Sequence, residues 1–295
     1  MKRQLALLTV LALLVVSMFT LTGCSSDNKG TDSGNGSKAV VKVINIPLTQ
    51  EEYAFGVNKN QPELLDEVNK FIAKIKEDGT FDKILNNYFG DGTPNAVKSA
   101  KLDPSKDQLI VATNAGFEPF EYTGGEADTY YGIDMEIADL LAKHLGKELV
   151  ISNMDFDAVC LSVGQDKADI AMAGLTIKED RKEYVTFSDK YYDAAQMLIV
   201  KASDTTFDNC KTAEDVEAIL SKLDKKTKIG VQNGTTGQFY VQGDADWGFT
   251  GYNVECIGYK SGSLAVQDML NGNINYVIID EAPAQCIVEA INELH

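Results

Sequence analysis

One pattern dominates the chain from residue 41 to its end. Short apolar runs alternate with longer stretches whose apolar residues recur every three or four positions. Residues 41–46, 109–113, 149–152, 169–173, 197–201, 228–232, 254–259 and 276–280 read as strands. Between them, residues 62–78 place Leu64, Leu65, Val68, Phe71, Ile72 and Ile75 on one helical stripe, and Gly79 stops the helix. Residues 132–145 and 282–294 repeat that stripe. Strands alternating with amphipathic helices imply an α/β fold with helices covering both faces of a sheet. A length of 295 residues leaves room for two such units. Small molecules bind such sheets beyond the carboxyl ends of the strands, so site residues are expected just after strands.

Charge and leader narrow the function. The formal net charge is −17, which argues against a nucleic-acid partner, because phosphate contacts need a basic surface, and points to solubility. Lys2 and Arg3 precede an almost wholly apolar stretch, residues 5–20, and then Leu21, Thr22, Gly23 and Cys24. A basic head, an apolar run and small residues describe an export signal. The Leu-x-Gly-Cys ending resembles a bacterial lipobox, which implies cleavage after residue 23 and lipid on Cys24. The alternative is an uncleaved membrane helix, for which the run is short. Residues 24–38 are Ser, Gly, Asp and Asn with almost nothing to bury, so a flexible tether reaching about 20 Å is expected.

Cys160, Cys210, Cys256 and Cys286 remain. Export permits disulfides, but four cysteines allow three pairings, and buried thiols fit Cys160 and Cys286 equally well. With two histidines and no paired ligand spacing, neither a metal nor another cofactor is expected.

Several segments carry a resemblance. Val111-Ala-Thr-Asn-Ala-Gly-Phe-Glu-Pro-Phe-Glu121, Tyr131-Gly-Ile-Asp-Met-Glu-Ile-Ala138 and Ala173-Gly-Leu-Thr-Ile-Lys-Glu-Asp-Arg181 resemble the polar amino-acid-binding proteins of ATP-driven importers. So do Val185-Thr-Phe-Ser-Asp-Lys-Tyr-Tyr192, Gly230-Val-Gln-Asn-Gly-Thr-Thr236 and the stretch from Ala265 to Asp280. The resemblance implies a two-lobed type II periplasmic-binding-protein fold with two hinge strands. The order departs from that family. A Pro-Leu-Thr hinge, a long helix and Tyr-Phe-Gly normally come last; here Pro47-Leu-Thr49 and Tyr88-Phe-Gly90 come first. A circular permutation accounts for this, with residues 91–106 joining the old termini. A separate small domain over 40–90 is the alternative, but about 50 residues make a poor core. Lobe one is then 50–198, containing the linker 91–106, and lobe two is 39–47 plus 201–295. The crossings are expected near 47–50 and 200–203, so the lobes close about a hinge.

A free amino acid carries a carboxylate and an ammonium on one carbon, and both must be satisfied in a dry site. Arg181 offers a bidentate guanidinium for the carboxylate. A solvated charge beside Lys178 and Lys182 is its other possible role. Thr176 with Glu179 has the spacing of a capping box, which would turn amides outward. The resemblance has Thr176 helping to hold the carboxylate and the Gly174 carbonyl accepting from the ammonium. Thr235 and Thr236 follow a strand through Asn233-Gly234, a turn suited to an anion or to a plain helix cap. The resemblance makes Thr236 or its neighbour the second carboxylate contact. It makes Asp280 the ammonium partner, although Asp is also a common helix cap. It gives Phe117 and Phe156 the ligand's aliphatic part, with core packing the alternative for both. Phe120 is assigned to core. By the same resemblance, Asn114 stands where binders of cationic amino acids, and some for glutamine, tend to carry Asp; Asn removes that charge, which disfavours Lys or Arg and favours a neutral polar or small apolar ligand.

The expected partners are a free amino acid and a membrane permease, with the membrane touched only through the Cys24 lipid and the protein a monomer outside the cytoplasm. Catalysis is not expected, because no spare carboxylate is evident beside the clamp. A cleft enzyme of the cyclohexadienyl-dehydratase type and a sensory or adhesin lipoprotein are the rivals.

Overall fold

The computed structural model describes residues 39–295. The export signal, Cys24 and the tether lie outside them. Two five-stranded sheets organise the chain. The first runs Val185–Phe187, Gly56–Asn58, Ile170–Ala171, Gln108–Thr113, Glu148–Asn153. The second runs Val41–Ile44, Gln196–Lys201, Tyr276–Asp280, Lys228–Gln232, Glu255–Tyr259.

Each sheet joins a parallel set to antiparallel strands. In the first, Gln108–Thr113 is parallel to both neighbours, and Gly56–Asn58 pairs antiparallel on both sides. In the second, Lys228–Gln232 is parallel to both neighbours, and Gln196–Lys201 is antiparallel to both of its own. The helix Pro62–Glu77 turns Val68, Phe71, Ile72 and Ile75 inward, as its stripe requires. Burying each such side chain stabilises the fold by about 2 kcal/mol. Gly79 ends it at φ 78°, a left-handed conformation that suits glycine, and caps the next helix, Thr80–Phe89.

The chain passes between the sheets twice. The outgoing segment, 45–50, lies beside the returning one: Leu48 N–H donates to Gln196 O at 2.9 Å, and Gln196 N–H donates to Thr49 Oγ1 at 2.8 Å. Glu51–Tyr53 and Tyr192–Ala194 then pair as a two-stranded ribbon. The return crossing therefore falls at 194–196, not at the expected 200–203. The strand at 196–201 was legible, but its membership is set by its partners, Val41–Ile44 and Tyr276–Asp280. Residue 198 thus belongs with the second sheet.

Residues 91–106 are no loose linker. Val97–Lys98 pairs with Thr129–Tyr131 at the edge of a four-stranded sheet. Ala100 N–H donates to Leu149 O at 2.8 Å, and the buried Glu136 carboxylate accepts from Asn95 N–H and Nδ2, each at 2.8 Å.

Candidate functional site

The carboxyl ends of both sheets face one small cavity. It is lined by Phe117, Phe156, Gly174, Thr176, Arg181, Gln232, Thr235, Thr236 and Asp280. Eight of the nine residues singled out from sequence thus share one cavity. The ninth, Asn114, stands just behind the wall, accepting from Gln232 Nε2 at 2.9 Å and donating to Met154 O at 2.6 Å.

The first lobe supplies the cation. Arg181 lies in a short 3₁₀ helix, Asp180–Glu183, and its side chain is buried. Nη1 donates to Thr176 O at 2.6 Å, and Nη2 reaches across to Gly234 O at 3.0 Å. Its guanidinium lies over the Phe156 ring, 5.2 Å from the centroid. Among the described residues no carboxylate comes within ion-pair distance of it. A buried guanidinium that meets only carbonyls is under-compensated, which suits an incoming anion.

Thr176 makes no capping box. It forms a β-bridge with Tyr53, and its hydroxyl donates to Glu51 Oε2 at 2.8 Å. Its backbone was committed to the hinge strand before any helix could start there. Gly174 sits at φ 51°, and a Cβ would come within 2.7 Å of the Phe117 ring, so only glycine fits. Its N–H donates at 2.9 Å to Asp134, whose carboxyl burial pushes up to about 7.

The second lobe supplies the acid. Asp280 ends the fully buried strand Tyr276–Asp280 and stands at the N-cap position of helix Glu281–Glu293, yet its side chain caps nothing. It accepts instead from Tyr53 Oη at 2.5 Å. Burial, helped by the nearby Glu51, pushes its carboxyl up to about 7. Thr235 is likewise an N-cap by position only: its hydroxyl donates to Gln232 O at 2.8 Å. The hydroxyls of Thr236 and Thr176 meet across the cleft at 3.4 Å.

Three residues escaped the sequence reading. Glu51, in the hinge ribbon, is buried and accepts from Thr49, Thr176 and Gln196 at 2.7, 2.8 and 3.0 Å. Glu121 is fully buried with neither carboxyl oxygen bonded; burial and the charges of Asp134 and Asp280 hold it well above the usual carboxylate range. The expectation of no spare carboxylate near the clamp therefore fails. Gln232 lines the cavity and was passed over as an ordinary strand residue. Only its position, last in a strand, could have marked it. Phe120 is core, stacked on Phe117 and edge-on to Tyr53.

Two α/β lobes joined by paired crossings, with a small charged cavity between them, define a two-lobed periplasmic-type binding protein. The chain belongs to the bacterial extracellular solute-binding proteins, family 3, whose sequence profile matches residues 13–91 and 109–271. The arginine-binding extracellular protein ArtP of Bacillus subtilis is 37% identical over 134 residues, 45% of this chain. The chain spans about half, 47%, of that relative's length. An ancestral arginine-binding protein bound to glutamine superposes with TM-score 0.51 at 32% identity, over 63% of this chain and 74% of that one. The ancestral amino acid-binding protein AncCDT-1, a precursor of cyclohexadienyl dehydratase, gives 0.53 at 26% identity, over 63% and 75%. No helix among the described residues is long and apolar enough to cross a membrane.

Proposed function

We propose that this protein is the extracytoplasmic amino-acid-binding component of an ATP-driven importer. It captures one free L-amino acid by hinge closure and hands it to a permease. A single observation carries the reading: buried Arg181 on one lobe and buried Asp280 on the other line the same small cavity. The α-carboxylate would take the guanidinium with Thr176 and Thr236, and the ammonium would take Asp280 and the Gly174 carbonyl. A zwitterion touching both lobes favours the closed state by differential contact.

Phe117 and Phe156 would flank the aliphatic part. Asn114 brings a dipole where a charge would favour cations, so the ligand is a neutral polar or small amino acid. The relatives' names cover arginine, histidine and cystine, and one neighbour holds glutamine, so the scaffold accepts varied side chains.

The anchor is lipid on Cys24, and the chain is circularly permuted. Supporting the permutation, the family profile matches two stretches, 13–91 and 109–271, that part at the segment joining the lobe's pieces. Asn292 in the last helix also accepts from Val40 and Val41 N–H at 2.9 and 3.2 Å, which ties the first strand to that helix in one lobe.

A cleft enzyme is the second reading, favoured by a lining carboxyl near pH 7. Against it, Glu51 is tied to three protein donors and lines no part of the cavity. Calorimetric titration of the mature protein with the twenty amino acids tests the proposal. Saturable one-to-one binding of at least one is expected; binding of none, or turnover of prephenate or arogenate, contradicts it.

A further inference from the structure

Resting on the amino-acid reading, the cavity also has an end that meets the ligand's side chain, and its hydrogen bonds can be followed atom by atom. The Met154 carbonyl can only accept, so Asn114 must turn Nδ2 toward it, at 2.6 Å. That leaves Asn114 Oδ1 facing the opposite lobe, where it accepts from Gln232 Nε2 at 2.9 Å. The orientation of Gln232 is thereby fixed: its Nε2 is used, and its Oε1 is left as an acceptor. That oxygen is buried and has no donor, in a side chain that is 1% exposed and lines the cavity. Among the described residues, the other buried side-chain atoms without partners belong to Thr113, Glu121, Gln196 and Trp247, none of which lines it.

We infer that Gln232 is a specificity-determining residue whose Oε1 accepts from the side chain of the bound amino acid. The ligand is therefore one whose side chain carries an uncharged N–H or O–H donor, such as a carboxamide or a hydroxyl. Asp280 is the only carboxylate on the cavity wall among the described residues, and the α-ammonium occupies it. An apolar side chain of the same size would leave the oxygen buried and unpaired, and a site built around a hydrogen bond rejects such an analogue. Asn114 acts through Gln232: it presents no free atom to the ligand but sets which end of the amide faces inward.

Size-matched pairs test this: glutamine against methionine, and threonine against valine. Calorimetric titration of the mature protein should show the donor-bearing member binding about 10- to 100-fold tighter in at least one pair. In Gln232→Leu that ratio should fall to near one. A ratio taken within one protein cancels any loss of closure or folding that the substitution causes. Circular dichroism of both proteins confirms that they fold. Equal binding of both members of each pair by the unsubstituted protein overturns the inference, as does a ratio that survives in Gln232→Leu. Failure of the unsubstituted protein to bind any free amino acid would instead overturn the reading of the site itself.

Discussion

The two ends of the cavity are built on opposite plans. At the charged end almost every side chain is already held: Thr176 by Glu51, Asp280 by Tyr53, and Arg181 by two carbonyls. The neutral part consists of two aromatic rings, Phe156 beneath the guanidinium among them, and one amide pair that bridges the lobes. Charges out of water must be oriented before the ligand arrives, because rearranging them during binding would cost affinity. The neutral end carries no such demand. The difference teaches that recognition of an amino acid as such, and choice among amino acids, reside in separable groups.

Substitutions at the charged end should have the largest effects and should weaken all ligands alike. Arg181→Ala is expected to reduce affinity at least 1000-fold, about 4 kcal/mol, because it removes the only cation on the cavity wall among the described residues. Calorimetry with the best-bound amino acid checks this, and circular dichroism confirms that the variant folds.

Asp280→Asn should follow, with about 100-fold weaker binding at pH 8. The unsubstituted protein adds a pH test. A carboxyl near 7 must lose its proton to meet an ammonium, so affinity should fall about tenfold per pH unit below 7. The same shift makes ligand-free protein behave the other way. Asp134 and Asp280 both titrate near 7, far above the value of 3.8 for a free side chain. Their neutral forms are favoured by folding, so the stability they contribute is present in acid and lost as pH rises through 7. The melting temperature of ligand-free protein should therefore rise from pH 8 to pH 6 while affinity drops. Melting and titration curves that move together would contradict this.

Glu51→Gln is expected to be milder, about fivefold to tenfold. The amide keeps the bonds from Gln196 or Thr176 only in part, so Thr176 loosens but stays in place. Phe117→Leu, at the neutral end, should change affinity about threefold and alter the rank order of ligands, which no charged-end variant should do. Binding assays across a ligand panel separate the two kinds of effect.

Much of this was legible in the sequence for a physical reason. Asp280 ends a strand, Thr236 opens the helix after one, and Arg181 lies in the connection beyond Ile170–Ala171, and in an α/β sheet the carboxyl ends of the strands converge. The strand at 276–280 and the helix at 62–77 declared themselves by unbroken and periodic burial. Long-range pairing hid the rest. Nothing local says that residues 196–201 join the second sheet, or that Thr176 bridges to Tyr53 instead of capping a helix. Nothing in the sequence separates Glu51 from Glu52; the hinge ribbon buries the first and leaves the second exposed. Residues 91–106 read as a plain linker because a two-residue edge strand carries no periodicity.

The central claim is best tested by a crystal structure of the protein with its tightest-binding amino acid. The account predicts the α-carboxylate within hydrogen-bond distance of the Arg181 guanidinium and the α-ammonium against Asp280. A ligand seated outside the interlobe cavity, or turned so that its carboxylate meets neither Arg181 nor the adjoining threonines, would contradict it.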